Sequence, residues 1–133
     1  AKSYNEILAN IDCLNLSSEN YPNIEMIYRL AHVLITDYSS CYIDFLSTRK
    51  PVISFAYDLE SYMERERGFY YDIHDVFPGD ICTNFDAMLG SLSGALSLGI
   101  EDKEKYERVR HMFFDFDDQL NSQRVAEFVY NLG

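Results

Sequence analysis

Residues 33–55 decide the fold of this chain, and they read VLITDYSSCYIDFLSTRKPVISF. Residues 33–36 and 51–55 are largely continuous apolar runs, which is typical of strands that are buried on both faces. An amphipathic stretch at roughly 40–47 lies between them, and the separation is long enough for a helical crossover. The segment therefore predicts a β-α-β unit with parallel strands, in which residues 33–36 form a buried central strand.

A further strand is predicted on the amino-terminal side of this unit. Alternating apolar residues make 11–16 a strand candidate. A turn at 17–23 follows, and Asn23 is placed to cap a helix that leads into the strand at 33–36. The first half of the chain thus predicts the order β-α-β-α-β.

The second half is predicted to be mainly helical. A partly helical loop, dense in tyrosine and in charge, covers 56–79. Helices follow at about 84–133; Thr83 caps the first, a turn at 94–99 ends it, and Ser122 caps the last. The helix faces predicted to be buried are Phe85, Met88, Leu89 and Leu92, then Tyr106, Val109 and Phe113, and finally Val125, Phe128, Val129 and Leu132.

Composition restricts the class of protein. The chain has 133 residues, 11 Lys+Arg against 22 Asp+Glu and a net charge of −11, and 47% of it is apolar. These values indicate one folded domain. They argue against a nucleic-acid binder, because the cations at 49–67 are interleaved with acidic residues instead of forming a patch. No apolar run approaches the roughly 20 residues that a membrane span needs.

The cysteines indicate whether the protein works in a reducing or an oxidising compartment. Cys13, Cys41 and Cys82 are odd in number, widely spaced and without a CxxC pair. This pattern disfavours a zinc site and a secreted disulfide framework. We therefore expect no metal and an intracellular location.

Residues 36–40, Thr-Asp-Tyr-Ser-Ser, are the most informative for chemistry, because they join a predicted parallel strand to a helix. Ligands bind at that edge of doubly wound sheets, and the unpaired N–H groups of a helix's first turn attract anions. Ser39 and Ser40 add hydroxyl donors, which favours a phosphate or diphosphate cradle. The alternative is that Asp37 or Ser39 only caps the helix. Because no Gly-rich fingerprint is present, neither a Walker loop nor a standard dinucleotide site is predicted.

Several blocks of the sequence resemble one enzyme family. They are Val33-Leu34-Ile35-Thr36-Asp37-Tyr38-Ser39-Ser40, Asp44-Phe45, Arg49-Lys50-Pro51-Val52-Ile53, Phe55-Ala56-Tyr57-Asp58-Leu59-Glu60, Arg67-Gly68-Phe69-Tyr70-Tyr71-Asp72 and Pro78-Gly79. In this order and at this spacing, they resemble the carboxy-terminal part of the CDP-glycerol glycerophosphotransferases, the teichoic-acid primases and polymerases.

The resemblance implies an α/β fold, a Rossmann-like three-layer αβα arrangement with a parallel sheet. This is the carboxy-terminal half of a glycosyltransferase-B architecture. Residues 1–133 would be a single, truncated domain of it that binds the nucleotide donor. Family members transfer glycerol phosphate from CDP-glycerol to a hydroxyl of a wall polymer or lipid-linked acceptor, and they release CMP. No cofactor is implied.

The resemblance also implies substrate contacts after the first strand of the β-α-β unit. Ser39 and Ser40 would contact the donor's phosphates together with the helix amides. Asp37 and Tyr38 would shape the end of the strand.

Charged residues further along the chain complete the implied site. Asp58 or Glu60 would reach ribose or glycerol hydroxyls, with a solvated loop as the alternative. Arg67 would offset the diphosphate charge, although Arg49 is a rival and a local salt bridge is the alternative for Arg67.

The family's catalytic histidines are expected upstream of this chain, so no catalytic residue is assigned. His32, His74 and His111 are not expected to replace them. The acceptor and the membrane would be contacted only through the absent part of the enzyme. We expect the full-length protein to be cytoplasmic and peripheral at the inner face of the cell membrane.

Two other functions remain open on the sequence alone. The chain could be a non-catalytic module that keeps the half-Rossmann shape for protein interaction or regulation. It could also belong to a glycosyltransferase-B enzyme that uses another nucleotide-sugar donor.

Overall fold

The computed structural model describes residues 12–59, 61–62, 71–116 and 118–132. The chain divides into two compact units, residues 1–31 and 32–133.

The first unit contains one described helix, α1 (Ile24–Leu30). Asn23 caps it as predicted, since its side chain accepts a hydrogen bond of 3.2 Å from the backbone N–H of Met26. The predicted strand at 11–16 is wrong over its described part, because residues 12–16 have no regular secondary structure and Leu14 is 83% exposed. Alternation alone does not make a strand when no neighbouring strand pairs with it.

The second unit is built on a parallel sheet of three described strands: β1 (Leu34–Thr36), β2 (Val52–Phe55) and β3 (Ile81–Cys82), in the order β1-β2-β3. Both pairs are parallel, with Leu34 opposite Val52 and Ser54 opposite Ile81. The predicted β-α-β unit is therefore confirmed. Among the three described strands of the sheet, however, the central one is β2 and not β1.

The burial of the strands explains this difference. Val52, Ile53 and Ser54 in β2 are buried, as a continuous apolar run in a central strand should be. Within the described residues β1 pairs with β2 alone, and Ile35 in β1 is 41% exposed. The apolar run at 33–36 therefore identifies a strand but not its place in the sheet.

The crossover between β1 and β2 is short. It consists of helix α2 (Cys41–Phe45) and a 3₁₀ turn (Leu46–Thr48), followed by Arg49 in the left-handed conformation at φ 54°. Phe45 and Leu46 are fully buried and anchor the crossover in the core. This matches the helix predicted at roughly 40–47.

The segment before β3 contains a helix of one turn, α3 (Ile73–Val76), capped by Asp72. Gly79 then lies so close to β2 that a Cβ atom there would be 1.7 Å from the carbonyl oxygen of Val52. β3 itself was not predicted, because a strand of two residues carries no readable period.

Helix α4 (Phe85–Leu98) differs from the prediction at both ends. Asn84, and not Thr83, is its N-cap and accepts a hydrogen bond from the N–H of Ala87 at 2.9 Å. The helix continues through Gly94 and ends at Gly99, whose φ is 79°. Its core contacts come from Met88 and the half-buried Leu92, whereas the predicted buried residues Phe85 and Leu89 are exposed.

Two further helices follow, α5 (Lys103–Phe113) and α6 (Asn121–Asn131). In α5 the predicted stripe is confirmed, since Tyr106 and Val109 are buried and Phe113 is half-buried. In α6 the predicted cap is wrong, because the helix begins at Asn121 and makes no side-chain cap. The face predicted to be buried is 62% to 71% exposed, and it consists of Val125, Phe128, Val129 and Leu132.

Candidate functional site

The carboxyl ends of parallel strands lie at one edge of a sheet, and this edge is where ligands bind in such folds. In this protein, residues 37–40 follow β1, and the described residues 56–59, 61 and 62 follow β2. The side chains of these two segments form the candidate site.

The first segment is a turn fixed by Asp37. Its Oδ1 accepts a hydrogen bond of 2.7 Å from the backbone N–H of Ser39. Its carbonyl oxygen accepts one of 2.9 Å from the hydroxyl of Ser54, which is fully buried in β2. Asp37 therefore shapes the end of the strand, and its carboxylate caps this turn instead of the helix that follows.

Ser39 and Ser40 are both exposed on this turn. Ser40 occupies the cap position of α2, but its side chain makes no capping hydrogen bond. Because α2 has only five residues, its aligned dipoles contribute less to anion binding than the sequence suggested. The two serine hydroxyls are the donors that an anion would meet there, because the N–H of Ser39 is already bonded to Asp37.

Tyr38 links the two segments. Its ring stacks on Tyr62 with the centroids 4.0 Å apart and an angle of 28° between the planes. Burial raises the pKa of the Tyr38 hydroxyl, and the nearby charges of Asp58 and Asp37 raise it further. The charges of Asp37 and Asp58 thus both act on the Tyr38 hydroxyl, and the donor contacts assigned to these residues stay a prediction. Tyr62 was missed because nothing distinguishes it from the other tyrosines of its segment.

Of the other residues predicted to contact the donor, two lie outside the described residues and one lies away from the candidate site. Glu60 and Arg67 lie outside the described residues. Arg49 precedes β2 and so lies at the opposite, amino-terminal edge of that strand, where its Nη1 is 2.7 Å from Oε1 of Glu107. This position disfavours Arg49 as the residue that offsets a diphosphate at the carboxyl edge.

The three histidines are exposed. His32 precedes β1, and His74 lies in α3 with its backbone N–H bonded to the carboxylate of Asp72 at 2.9 Å. His111 is in α5, where its Nε2 is 4.0 Å from Glu107. That none of them has a chemical role stays a prediction.

A separate cavity of about 320 Å³ lies at the amino-terminal edge of the sheet. Pro51, Gly79 and Asp80 line it at the start of β2 and β3, and Gly99 and Lys105 line it from the helical side. Its place at the opposite edge separates it from the candidate site.

Residues 11–131 match the model of a protein family described as CDP-Glycerol:Poly(glycerophosphate) glycerophosphotransferase. The chain belongs to this family. The poly(ribitol-phosphate) polymerase of teichoic acid from Bacillus spizizenii is 34% identical over 111 residues, which are 81% of this chain and 17% of that protein. The teichoic acid glycerol-phosphate transferase of Staphylococcus aureus is 32% identical over 84% of this chain and 28% of its own length.

Solved structures agree with this assignment. The wall teichoic acid polymerase TagF has a TM-score of 0.69 and 25% identity over 95% of this chain and 32% of that structure. A TagF variant soaked with CDPG has a TM-score of 0.66 and 26% identity over 97% of this chain and 33% of that structure. The family member described here is thus an α/β protein whose structural neighbours are glycosyltransferase-B-like polymerases.

The chain spans only a part of its relatives, between 15% and 28% of the length of the first three curated ones. Across the described ranges, no helix is long and apolar enough to cross a membrane.

Proposed function

We propose that this chain holds the donor CDP-glycerol in a transferase that moves glycerol phosphate to a hydroxyl of a teichoic-acid-like wall or surface polymer. The family match over residues 11–131 carries this proposal. The glycerol-phosphate transferase of Staphylococcus aureus and the TagF variant soaked with CDPG support the choice of donor.

The reaction replaces one phosphorus–oxygen bond with another. The acceptor hydroxyl attacks the phosphorus that carries glycerol, the phosphoanhydride bond breaks, CMP leaves, and the hydroxyl proton passes to a base. Such a transfer depends on in-line positioning and on neutralisation of the leaving-group charge. In this proposal the catalytic histidines and the acceptor belong to the remainder of a longer enzyme.

The electrostatics of the candidate site suggest how the donor is oriented. Ser39 and Ser40 offer donors to the diphosphate, while the carboxylates of Asp37 and Asp58 repel it. Asp58 instead accepts hydrogen bonds from ribose or glycerol hydroxyls. In this arrangement the phosphates lie on the serine side of the turn, and the polyol lies on the Asp58 side.

Arg67 and Glu60 remain part of the proposal. Arg67 would offset the diphosphate charge, and Glu60 would share the hydroxyls with Asp58. Both belong to sequence blocks that resemble the family.

The finer architecture and the cellular setting are proposals as well. The chain would be a single three-layer αβα Rossmann-like domain, the carboxy-terminal half of a glycosyltransferase-B enzyme. The enzyme would be cytoplasmic and peripheral at the inner membrane face, with polymer or lipid-linked acceptor and membrane contacted through its other parts. The net charge of −11 favours a small-molecule partner over nucleic acid.

A second candidate is transfer of ribitol phosphate from a nucleotide-activated ribitol donor. The observation that favours it is the 34% identity to the poly(ribitol-phosphate) polymerase of Bacillus spizizenii. The polyol side of the site would then hold a longer chain of hydroxyls.

Calorimetry on the full-length protein tests the proposal. CDP-glycerol should bind the wild type, the Ser39→Ala, Ser40→Ala double variant should bind it at least about tenfold more weakly, and the exposed helix variant Ser122→Ala should bind it normally. The affinities of a panel of nucleotide-diphosphate donors, measured in the same way, show whether glycerol or ribitol donors bind more tightly. Absence of CDP-glycerol binding, or an unchanged affinity of the double variant, would refute the assignment and leave a non-catalytic module as the better description.

A further inference from the structure

Two segments at the carboxyl edge of the sheet are joined by a ring contact. Tyr38 lies two residues beyond the end of β1, and Tyr62 lies seven residues beyond the end of β2. The centroid separation of 4.0 Å and the angle of 28° make this a stacked pair. Stacked aromatic rings stabilise their arrangement beyond what burial of their area contributes.

The backbone of the second segment is held by local hydrogen bonds. The N–H of Leu59 donates to the carbonyl of Ala56 at 3.2 Å, and the N–H of Tyr62 donates to the carbonyl of Asp58 at 2.9 Å. These bonds shape the helical turn. The ring stack adds a contact between this turn and the segment that follows β1.

Asp58 shares this helical turn with Tyr62. The carbonyl of Asp58 accepts the N–H of Tyr62, so the two residues are held in one hydrogen-bonded turn. The charge of Asp58 reaches the hydroxyl of Tyr38, whose pKa is raised by burial first and by Asp58 next. The stack of Tyr38 on Tyr62, together with the hydrogen bond from the N–H of Tyr62 to the Asp58 carbonyl, thus ties Asp58 to the turn after β1.

We infer that Tyr62 is a positioning residue for the donor, because its stack on Tyr38 holds Asp58 at the carboxyl end of β1, where the donor's hydroxyls bind. This inference rests on the proposed function. It assigns a positioning role to a residue that the sequence does not single out.

Binding of CDP-glycerol to the full-length protein tests this role. Tyr62→Ala removes the ring and should raise the Kd about threefold to tenfold, whereas Tyr62→Phe keeps the ring and should stay within about twofold of the wild type. Tyr130→Ala is the matched control, since Tyr130 is a tyrosine in α6 that is 86% exposed.

A double-mutant cycle separates positioning from loss of stability. Asp58→Asn should weaken binding when Tyr62 is present and should have little further effect when Tyr62 is alanine. Equal penalties in the two backgrounds, or normal binding by Tyr62→Ala, would overturn the inference.

Hydrogen exchange decides the structural part of the inference without any ligand. Backbone amides at 57–62 should exchange faster in Tyr62→Ala than in Tyr62→Phe, and unchanged exchange would overturn the inference. If the wild type does not bind CDP-glycerol, the proposed function fails and the donor role of Tyr62 fails with it. The exchange result then still shows whether the stack holds the turn.

Discussion

Gly79 and Gly94 should respond in opposite directions to the same substitution. A Cβ atom at Gly79 would be 1.7 Å from the carbonyl oxygen of Val52, and such contacts do not occur below 3.0 Å. A Cβ atom at Gly94, within α4, has no neighbour within 4 Å. Gly79→Ala should therefore destabilise the protein, whereas Gly94→Ala should stabilise it.

The magnitudes follow from the surroundings of each position. Val52 is buried and held in register with Leu34, and Asp80 beside Gly79 accepts a backbone hydrogen bond of 2.8 Å from Ser54, so neither strand can move away freely. Overpacking and weakened sheet hydrogen bonds together should cost about 3 kcal/mol. At the exposed helix position Gly94, alanine should contribute about 0.5–1 kcal/mol of stability.

Urea unfolding measures both effects. The unfolding midpoint should fall for Gly79→Ala and rise for Gly94→Ala, with the slope m unchanged in each. For a domain of this size the melting temperature should shift by about 10 °C downward and about 2–4 °C upward, respectively. A neutral Gly79→Ala variant, or equal destabilisation of the two, would refute the close approach of Gly79 to β2.

Three further predictions concern a cap, an ion pair and a buried phenol. Asn84→Ala removes the N-cap of α4 and should cost about 1 kcal/mol in urea unfolding, whereas Thr83→Ala should cost much less. Hydrogen bonds from Arg124 hold the pKa of Asp118 below 3.8 and contribute stability that is lost as the pH falls below about 4. Arg124→Ala should raise this pKa in carboxyl NMR. Burial raises the pKa of Tyr106 to about 12, so stability should fall as the pH rises above 10.0, and Tyr106→Phe should make that loss smaller.

Each of these three predictions can be refuted by a specific result. If Thr83→Ala and Asn84→Ala lower the free energy of unfolding equally, helix α4 begins earlier than the structure has it. An Asp118 pKa that is the same in Arg124→Ala as in the wild type would show that the two residues do not form this ion pair. Titration of all tyrosines near pH 10 in ultraviolet spectra would mean that Tyr106 is not buried.

The sequence predicts the β-α-β unit correctly because both of its strands are apolar runs and its crossover is amphipathic. It does not predict that β1 lies at the edge of the three described strands, or that β3 exists. Strand order depends on pairing between distant residues such as Ser54 and Ile81, and no local pattern encodes that pairing. The two residues of β3 are also too few to show a period.

Helix α6 shows a different limit of sequence patterns. The spacing of Val125, Phe128, Val129 and Leu132 correctly indicates one apolar face. Their exposure shows that periodicity identifies an amphipathic helix without identifying what covers its apolar face.

The candidate site was predictable in part. Asp37, Tyr38, Ser39 and Ser40 follow β1 directly, so recognising the strand was enough to place them at the carboxyl edge. The contact between Tyr38 and Tyr62 joins segments that follow different strands, and it required the three-dimensional structure.

A crystal structure of the full-length protein with CDP-glycerol tests the central claim most directly. The diphosphate should lie on the turn after β1, with phosphate oxygens about 3 Å from the hydroxyls of Ser39 and Ser40 or the amide of Ser40, and with Asp58 at a hydroxyl of the donor. A donor bound elsewhere, for example in the cavity lined by Pro51 and Gly79 at the opposite edge of the sheet, would contradict it.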